Sequence, residues 1–183
     1  MNEQTIIENF ELTNEQTDFA NISFKNSSFI NKNLDSFEFI DCEFFSCDFS
    51  MSKLENTVFT RVKFVNCKLM GLDFSVCSSF AFSVSFKNCL MDYTHFHKNN
   101  LNKSSFTNCL IKEAGFFDLD LSSSLFKNSD LRDTIFERCN LTKCDFRTAN
   151  NYIINPADNK IKKAKFSYPG ILGLLSSLDI IIE

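Results

Sequence analysis

Cysteine is the residue type in this chain that could take part in the most kinds of chemistry. The chain has 183 residues, and eight of them are cysteines. A thiolate can attack an electrophile, bind zinc or form a disulfide. Cys47 and Cys67 are twenty residues apart, as are Cys89 and Cys109, and stacking on neighbouring turns of the chain would permit disulfides. No CxxC motif occurs, and a small apolar residue suits a tight inward position. We therefore expect eight reduced, buried thiols and no metal site.

The other residues that could do chemistry are few or scattered. His95 and His97 flank Phe96 and should both point outward, with Asp92 nearby in the sequence. A metal site needs at least three converging ligands, so a surface pair is expected here. Carboxylates are numerous, but acid–base catalysis needs a pocket that shifts their pKa values. The chain has no phosphate-binding glycine loop, nucleophile elbow or HExxH motif. The sequence predicts no enzyme, no catalytic residue and no cofactor.

Charge and hydropathy exclude further classes. The 23 acidic and 19 basic residues give a net charge of −4, which argues against electrostatic capture of nucleic acid or of an anionic membrane. The N-terminus shows no signal peptide, and no apolar run reaches about 18 residues, so we expect a cytoplasmic protein without a membrane span. The chain has 23 Phe and no Trp but only 4 Gly and 2 Pro. Such a composition indicates a repetitive architecture.

A five-residue repeat must position all of these side chains. Neither the 3.6-residue period of a helix nor the 2-residue period of a strand explains it. Large apolar residues, which we call anchors, recur at every fifth position, and the residue two before each anchor is usually small. All eight cysteines occupy this preceding position if Ser79 is taken as an anchor. Lys32 and Asn99 are exceptions to the small-residue rule. The large apolar anchors are Phe19, Phe24, Phe29, Leu34, Phe39, Phe44, Phe49, Leu54, Phe59, Phe64, Leu69 and Phe74, then Phe86, Met91, Phe96, Leu101, Phe106, Ile111, Phe116, Leu121, Phe126, Leu131, Phe136, Leu141 and Phe146.

Segments such as Cys47-Asp48-Phe49-Ser50-Met51 and Ser129-Asp130-Leu131-Arg132-Asp133 resemble the pentapeptide-repeat family, whose consensus is a small residue, Asp or Asn, then Leu or Phe, then two variable residues. The resemblance covers about residues 19 to 150. It implies an all-β fold, a right-handed quadrilateral β-helix with four pentapeptides per coil. Residues twenty apart should then stack like neighbouring strands, about 4.8 Å apart.

The predicted stacking can be followed along the chain. A two-residue insertion between positions 74 and 86 keeps one phenylalanine column continuous, and an asparagine column follows two residues behind it, where stacked amides would stabilise the coils. The predicted column members are Phe24, Phe44, Phe64, Phe86, Phe106, Phe126 and Phe146, with Asn26, Asn66, Asn88, Asn108 and Asn128. We expect an N-terminal cap over residues 1–18, the β-helix over 19–150 with a register break at about 75–85, and a C-terminal cap over 151–183.

The C-terminal segment predicts a short α-helix, with Ser167 as its N-cap and Pro169 in its first turn. Its apolar residues recur at three- and four-residue spacing, which indicates a buried face. The stretch from Tyr152 to Leu175 is similar to the C-terminal region of the Qnr-type group of the family, and this similarity implies a homodimer. The predicted dimerisation residues are Ile171, Leu172, Leu174, Leu175 and Leu178.

Charge is uneven along the predicted rod. Residues 1–60 hold 11 acids and 3 bases, a net charge of −8, whereas residues 61–150 hold 9 acids and 12 bases, a net charge of +3. An acidic surface can simply be solvated. Alternatively, a rod of this width resembles duplex DNA, and similarity to the Qnr-type group implies binding to a type II topoisomerase. The candidate partner-binding residues are the acidic Glu38, Asp41, Glu43 and Asp48 and the outward apolar Leu90, Leu110 and Phe117.

Two functions therefore fit the sequence. The first is a DNA mimic that binds DNA gyrase or topoisomerase IV and protects it from inhibitors. The second is a pentapeptide-repeat scaffold that binds another protein.

Overall fold

The computed structural model describes residues 4–12, 16–178 and 180–181. In these residues the chain winds into a parallel β-solenoid of about six turns, which confirms the predicted right-handed quadrilateral β-helix. Every strand pairing is parallel, because each coil lies on the preceding one in the same direction.

Twelve short strands occur in the described residues, each contributing one side of a coil. Their pairings form a six-stranded sheet in the order β1-β3-β5-β7-β8-β10 and two three-stranded sheets, β2-β4-β6 and β9-β11-β12. The strands are β1 Thr5–Glu8, β2 Asp18–Ala20, β3 Ile22–Lys25, β4 Glu38–Ile40, β5 Glu43–Phe45, β6 Val58–Thr60, β7 Val62–Val65, β8 Val84–Lys87, β9 His95–His97, β10 Phe106–Thr107, β11 Gly115–Phe117 and β12 Ile135–Glu137.

The rod presents four faces, which follow one another around each coil. The β2 face contains β2, β4 and β6 and continues through bridges at Asn100, Asp120, Asn140 and Lys160. The β3 face contains the six-stranded sheet and continues through Ser105, Leu125, Asp145 and Lys165. The bridge face consists of isolated bridges from Ser28 to Asn150, and the β9 face contains β9, β11 and β12.

The predicted phenylalanine column runs through the interior of the β3 face. Phe24 pairs with Phe44, Phe44 with Phe64, and Phe64 with Phe86, so the two-residue insertion is confirmed. Neighbouring rings in the column, from Phe24 to Phe146, stack with centroids 4.7 to 5.5 Å apart. All seven rings are essentially excluded from solvent. Such stacks add to the free energy gained by burying the rings.

The inserted residues form a small outward bulge. A 3-10 helix, Phe74–Val76, precedes it, and Asp73 accepts a hydrogen bond from the amide of Ser75 at 2.8 Å. The chain regains its register at Val84, which pairs with Val62 on the preceding coil. Between these points Phe80 is 81% exposed. The bulge thus leaves the stack intact and places one aromatic side chain on the surface.

Left-handed backbone at the corners turns the chain from one face to the next. Twenty-six non-glycine residues have positive φ, and Gly71 is the single glycine that does among the described residues. Asparagine, which tolerates this conformation best after glycine, occupies ten of these 26 positions in a chain with 4 Gly. The predicted asparagine column occupies such corners, and its side chains donate from Asn88 to Asn66, from Asn108 to Asn88 and from Asn128 to Asn108 at 2.8 to 3.1 Å.

The N-terminal segment covers the first coil. Strand β1 pairs with β3, with Ile7 opposite Phe24. The ring of Phe10 lies 5.2 to 6.0 Å from the rings of Phe19, Phe24 and Phe29, so it closes the open end of the core. The first strand therefore extends the six-stranded sheet of the β3 face. This pairing could not be predicted from the sequence, because residues 1–18 lack the five-residue repeat.

The coil geometry also extends beyond residue 150, where the predicted repeat region ends. Asn140 bridges Lys160, Asp145 bridges Lys165, and the ring of Phe166 stacks on Phe146 at 5.5 Å. These residues keep the twenty-residue spacing after the Asn155–Asn159 turn. The last partial coil is thus continuous with the solenoid.

The C-terminal helix is present but is not of the predicted α type. Two short 3-10 helices occur, Pro169–Leu174 and Ser176–Leu178. The N-cap of the first helix is Tyr168 rather than the predicted Ser167, although the Ser167 hydroxyl accepts a hydrogen bond from the amide of Gly170 at 3.1 Å. Gly170 and Gly173 lie against Tyr152, and a Cβ on Gly173 would meet the Tyr152 carbonyl oxygen at 2.2 Å. Two glycines disfavour a regular α-helix, and close docking on Tyr152 fixes the tighter turns.

Removing one ring from the column should destabilise the whole solenoid. We expect Phe106→Ala to lower the free energy of unfolding by about 3–5 kcal/mol, because it opens a cavity between two stacked rings. Urea unfolding followed by circular dichroism measures this change. Phe80→Ala, at an exposed ring, is the control and should shift stability by less than about 0.5 kcal/mol. Equal urea midpoints for the two variants would contradict the column.

Candidate interaction surfaces

The cysteine side chains all lie inside the solenoid. All eight are free thiols and all are buried, as predicted. Cys47, Cys67, Cys89 and Cys109 follow one another on successive coils beneath the bridge face, where the outward neighbours Asp48, Lys68, Leu90 and Leu110 form consecutive bridges. The pattern places the thiols in the core rather than at a surface where a substrate could reach them.

These thiols have a structural task that the sequence did not reveal. The Cys42 thiol donates to the carbonyl of Phe19 at 3.4 Å, and the Cys67 thiol donates to that of Phe44 at 3.3 Å. Each bond links one coil to the preceding coil. Hydroxyls make the same bond elsewhere, as from Thr57 to the Leu34 carbonyl at 2.8 Å. The amide of Asn99, an exception to the small-residue rule, likewise donates to the Phe74 carbonyl. A short donor is therefore common at this position, although Val62, Leu72 and Ala114 fill it with apolar side chains.

Burial also makes Cys139 and Cys144 poor nucleophiles. It raises the pKa of Cys139 to about 11 and that of Cys144 to about 12, since a thiolate loses its hydration there. No group of three His, Cys, Asp or Glu side chains that could hold a metal ion occurs within the described residues.

The two histidines have separate partners on the β9 face. The His95 ring lies 5.1 Å from the ring of Phe117. His97 Nε2 is 3.2 Å from Asp118 Oδ2, and the Arg138 guanidinium donates to the same carboxylate, which lowers the pKa of Asp118. The histidines are therefore parts of two local surface contacts.

The four predicted acidic residues lie around two corners of the second coil. Glu38 is on the β2 face, Asp41 at the next corner, Glu43 on the β3 face and Asp48 on the bridge face. Arg61, one coil above, donates twice to Asp41 at 2.6 and 2.7 Å, and the Lys68 ammonium lies 3.5 Å from Asp48. Two of the four charges are thus partly neutralised by cations twenty residues further along the chain.

Three carboxylates outside the predicted set, Asp18, Asp35 and Glu55, add to the negative charge around Glu38. Asp18 pairs directly with Glu38 across β2 and β4. On the adjoining β9 face, Asp35 and Glu55 are stacked, with the amide of Glu55 donating to the Asp35 carboxylate at 3.0 Å. Within the described part of the chain, no cation lies within 4.0 Å of these four carboxylates. We call Asp18, Asp35, Glu38 and Glu55 the acidic surface. The twenty-residue spacing could have revealed both stacked pairs.

The predicted apolar residues divide between two faces. Leu90 and Leu110 are bridge partners on the bridge face, and Leu110 is 38% exposed. Exposed Met51 and Tyr93 lie on corners of the same face. Phe117 lies on the β9 face instead, where its ring covers Gly115 and contacts His95. The structure therefore joins the two leucines but separates Phe117 from them.

The predicted dimerisation residues lie at the C-terminal end of the rod. Leu174 is buried against the last coil, and Leu175 is half-buried. Ile171, Leu172 and Leu178 are 45%, 51% and 56% exposed, and Tyr168 is 93% exposed. One side of the segment therefore caps the core while the other presents apolar side chains to solvent.

Two family models match this arrangement of repeats. A pentapeptide-repeat region model matches residues 57–136, and a model of eight pentapeptide copies matches residues 38–75. The chain is a pentapeptide-repeat protein. No curated protein matches it in sequence.

Solved structures agree with this pentapeptide-repeat assignment. Two trypsin-treated forms of QnrB1, described as a plasmid-mediated fluoroquinolone resistance protein, match with a TM-score of 0.66 and 20% identity. The match covers 98% of this chain and 97% or 98% of theirs. HetL, a pentapeptide-repeat protein involved in heterocyst differentiation regulation from the cyanobacterium Nostoc sp. strain PCC 7120, matches over 90% of this chain and 87% of its own, with a TM-score of 0.55 and 12% identity. At these identities the likeness concerns the fold.

In the described part of this pentapeptide-repeat protein, no helix has the length and apolar character needed to span a membrane.

The burial of the cysteine thiols in this pentapeptide-repeat protein predicts that they react slowly with thiol reagents. In the native state at pH 8 we expect a disulfide-exchange reagent to label the cysteines over hours, because the thiols are buried. In denaturant it should count eight free thiols within minutes. A mass two hydrogens lower per pair, or stoichiometric zinc in the native protein, would contradict this expectation.

Proposed function

We propose that this protein is a non-enzymatic, Qnr-like DNA mimic that binds a type II topoisomerase, DNA gyrase or topoisomerase IV, and protects it from inhibitors. The observation that carries the proposal is the acidic surface on the first coils of a rod with the fold of QnrB1. The site of action would be the cytoplasm, where these enzymes meet DNA.

The chemistry of the acidic surface fits a DNA-binding groove. Such a groove is positively charged, and its potential attracts and orients a negative rod. Asp18 and Glu38 are adjacent and exposed, and on the next face the half-buried Asp35 lies beside the exposed Glu55. Stacked carboxylates at the spacing of parallel strands, about 4.8 Å, give a dense line of negative charge. Glu43 lies on the β3 face beside this line, while Asp41 and Asp48 are held in ion pairs.

A gyrase supercoiling assay with ciprofloxacin tests the proposal. The wild-type protein should restore supercoiling, and the variant Asp18→Asn, Glu38→Gln, Glu55→Gln should need at least about tenfold more protein for the same effect, since each lost charge weakens association. The ion-paired Asp41 and Asp48 are left intact to preserve the coil contacts.

The control variant Glu113→Gln, Asp133→Asn, Glu137→Gln removes the same number of charges from later coils and should protect like the wild type. Circular dichroism verifies the fold of both variants. Equal loss in both would mean that net charge alone matters, and no protection by the wild type would overturn the proposal.

The scaffold hypothesis has its own supporting observation. The bridge face carries Leu90, Leu110, Met51 and Tyr93 at its outer surface, and contiguous apolar groups of this kind are typical of protein contacts. A wild-type protein that fails to protect gyrase would favour this second function, with the bridge face as the contact.

We also propose that two copies associate through the exposed side of the C-terminal 3-10 helices. Ile171 and Leu172 are exposed in one chain and lose contact with water in such a dimer. The burial of their apolar surface favours association. Light scattering of the intact chain should give twice its 21.1 kDa. Ile171→Glu with Leu172→Glu should give a monomer, whereas the control Ser176→Glu should leave the dimer intact. A monomeric intact chain would refute the interface.

A further inference from the structure

The net charge of −4 conceals a surface of the opposite sign at the C-terminal end of the rod. On the β2 and β3 faces, residues 119–128, 139–148 and 159–166 contain seven basic and two acidic residues, a net charge of +5. We call this the C-terminal basic surface. Its basic members are Lys127, Lys143, Arg147, Lys160, Lys162, Lys163 and Lys165.

The solenoid geometry concentrates these charges. Lys143 and Lys163 occupy the same corner on successive coils, both with positive φ, so they are about 4.8 Å apart along the rod. Lys165 is one coil above Asp145 on the β3 face, beside that corner. Lys143, Lys163 and Lys165 are all exposed. Neighbouring cations repel one another, and an anion that lies between them offsets this repulsion.

The two acidic residues of this surface are already engaged. Arg147 donates to Asp145 at 2.7 Å, and this contact lowers the pKa of Asp145. Asp120 accepts hydrogen bonds from Asn140 at 3.0 Å and from the amide of Ser122 at 2.9 Å. Among the described residues, no carboxylate lies within 4.0 Å of the ammonium groups of Lys143, Lys163 or Lys165. The lysines are available to an external anion.

We propose that the C-terminal basic surface binds the phosphate backbone of a nucleic acid duplex without reading its sequence. Lysine ammonium groups and hydroxyls are the usual donors to phosphate oxygens, and Ser123 and Thr148 lie exposed among the lysines. An acidic protein partner fits less well, because protein interfaces depend on buried apolar or aromatic anchors. Among these three segments, all of them described, Leu125 is the one large apolar side chain on the outer surface, and it is half-buried.

The number of phosphate contacts determines how this binding must depend on salt. A few lysine contacts to phosphate give a modest affinity that falls steeply as salt rises. Three phosphate contacts predict a slope of about −2.7 in log K against log salt, a loss of roughly fortyfold between 50 and 200 mM. This inference does not depend on topoisomerase binding, which the supercoiling assay measures separately.

Fluorescence anisotropy with a labelled 20-base-pair duplex tests the proposal. Lys143→Asn, Lys163→Asn, Lys165→Asn should weaken binding at least tenfold at 50 mM salt and flatten the salt slope. Asparagine is chosen because it occupies equivalent corners elsewhere in the chain, so the fold is preserved. The matched control Lys53→Asn, Lys98→Asn, Lys112→Asn removes the same charge from the β9 and bridge faces and should bind like the wild type.

Three results would overturn the proposal. One is no binding by the wild type at 50 mM salt, and another is equal weakening in both triple variants. The third is equal affinity for poly-glutamate of matched charge, which would assign the surface to an acidic protein instead.

Discussion

The parallel hydrogen bonds between coils are the constraint on which the rest of this structure depends. Every side of a coil must lie in register with the side twenty residues earlier, as Phe64 does with Phe44. A chain that closes a square every twenty residues must turn sharply four times, and here left-handed corners such as Asn66 and Asn108 make the turns. The corner conformation is unfavourable for most residues, but most corner amides bond to the next coil, as from Asn26 to the Phe45 carbonyl at 3.0 Å. The hydrogen bonds between stacked coils therefore stabilise the unfavourable backbone conformation at the corners.

The same constraint explains which features could be predicted. A period of five leaves a direct trace in residue type, so the phenylalanine column, the insertion before Phe86 and the asparagine ladder followed from spacing alone. Features that interrupt the period left no such trace. Strand β1, the final coil up to Phe166 and the 3-10 form of the C-terminal helices depend on contacts with Phe24, Phe146 and Tyr152, which are distant in sequence. The donor role of the cysteines was hidden because size and hydrogen bonding favour the same small residues.

Surface charge in a solenoid has to be considered coil by coil. Asp41 and Arg61 are twenty residues apart and form a bidentate ion pair, as do Asp118 and Arg138. Counting charge in blocks of sequence assigned Asp41 to an acidic region and Arg61 to a basic one, although the two neutralise each other. The same stacking brings like charges together, as with Asp18 and Glu38. Exposed pairs contribute little to stability, so their main consequence is the pattern of potential along each face.

The length of the rod allows surfaces of opposite sign to coexist on one rigid body. Glu38 and Lys143 are separated by about five coils, or roughly 24 Å along the axis. That distance exceeds the Debye length of about 8 Å at physiological salt, so neither surface greatly alters the potential of the other. Each coil contacts only its neighbours, and exposed substitutions at one end leave the stacking at the other end intact. A solenoid can therefore carry two electrostatically independent binding surfaces in 183 residues. Substitutions at Glu38 and at Lys143 should act independently, so that in a double variant each binding reaction changes as it does in the corresponding single variant.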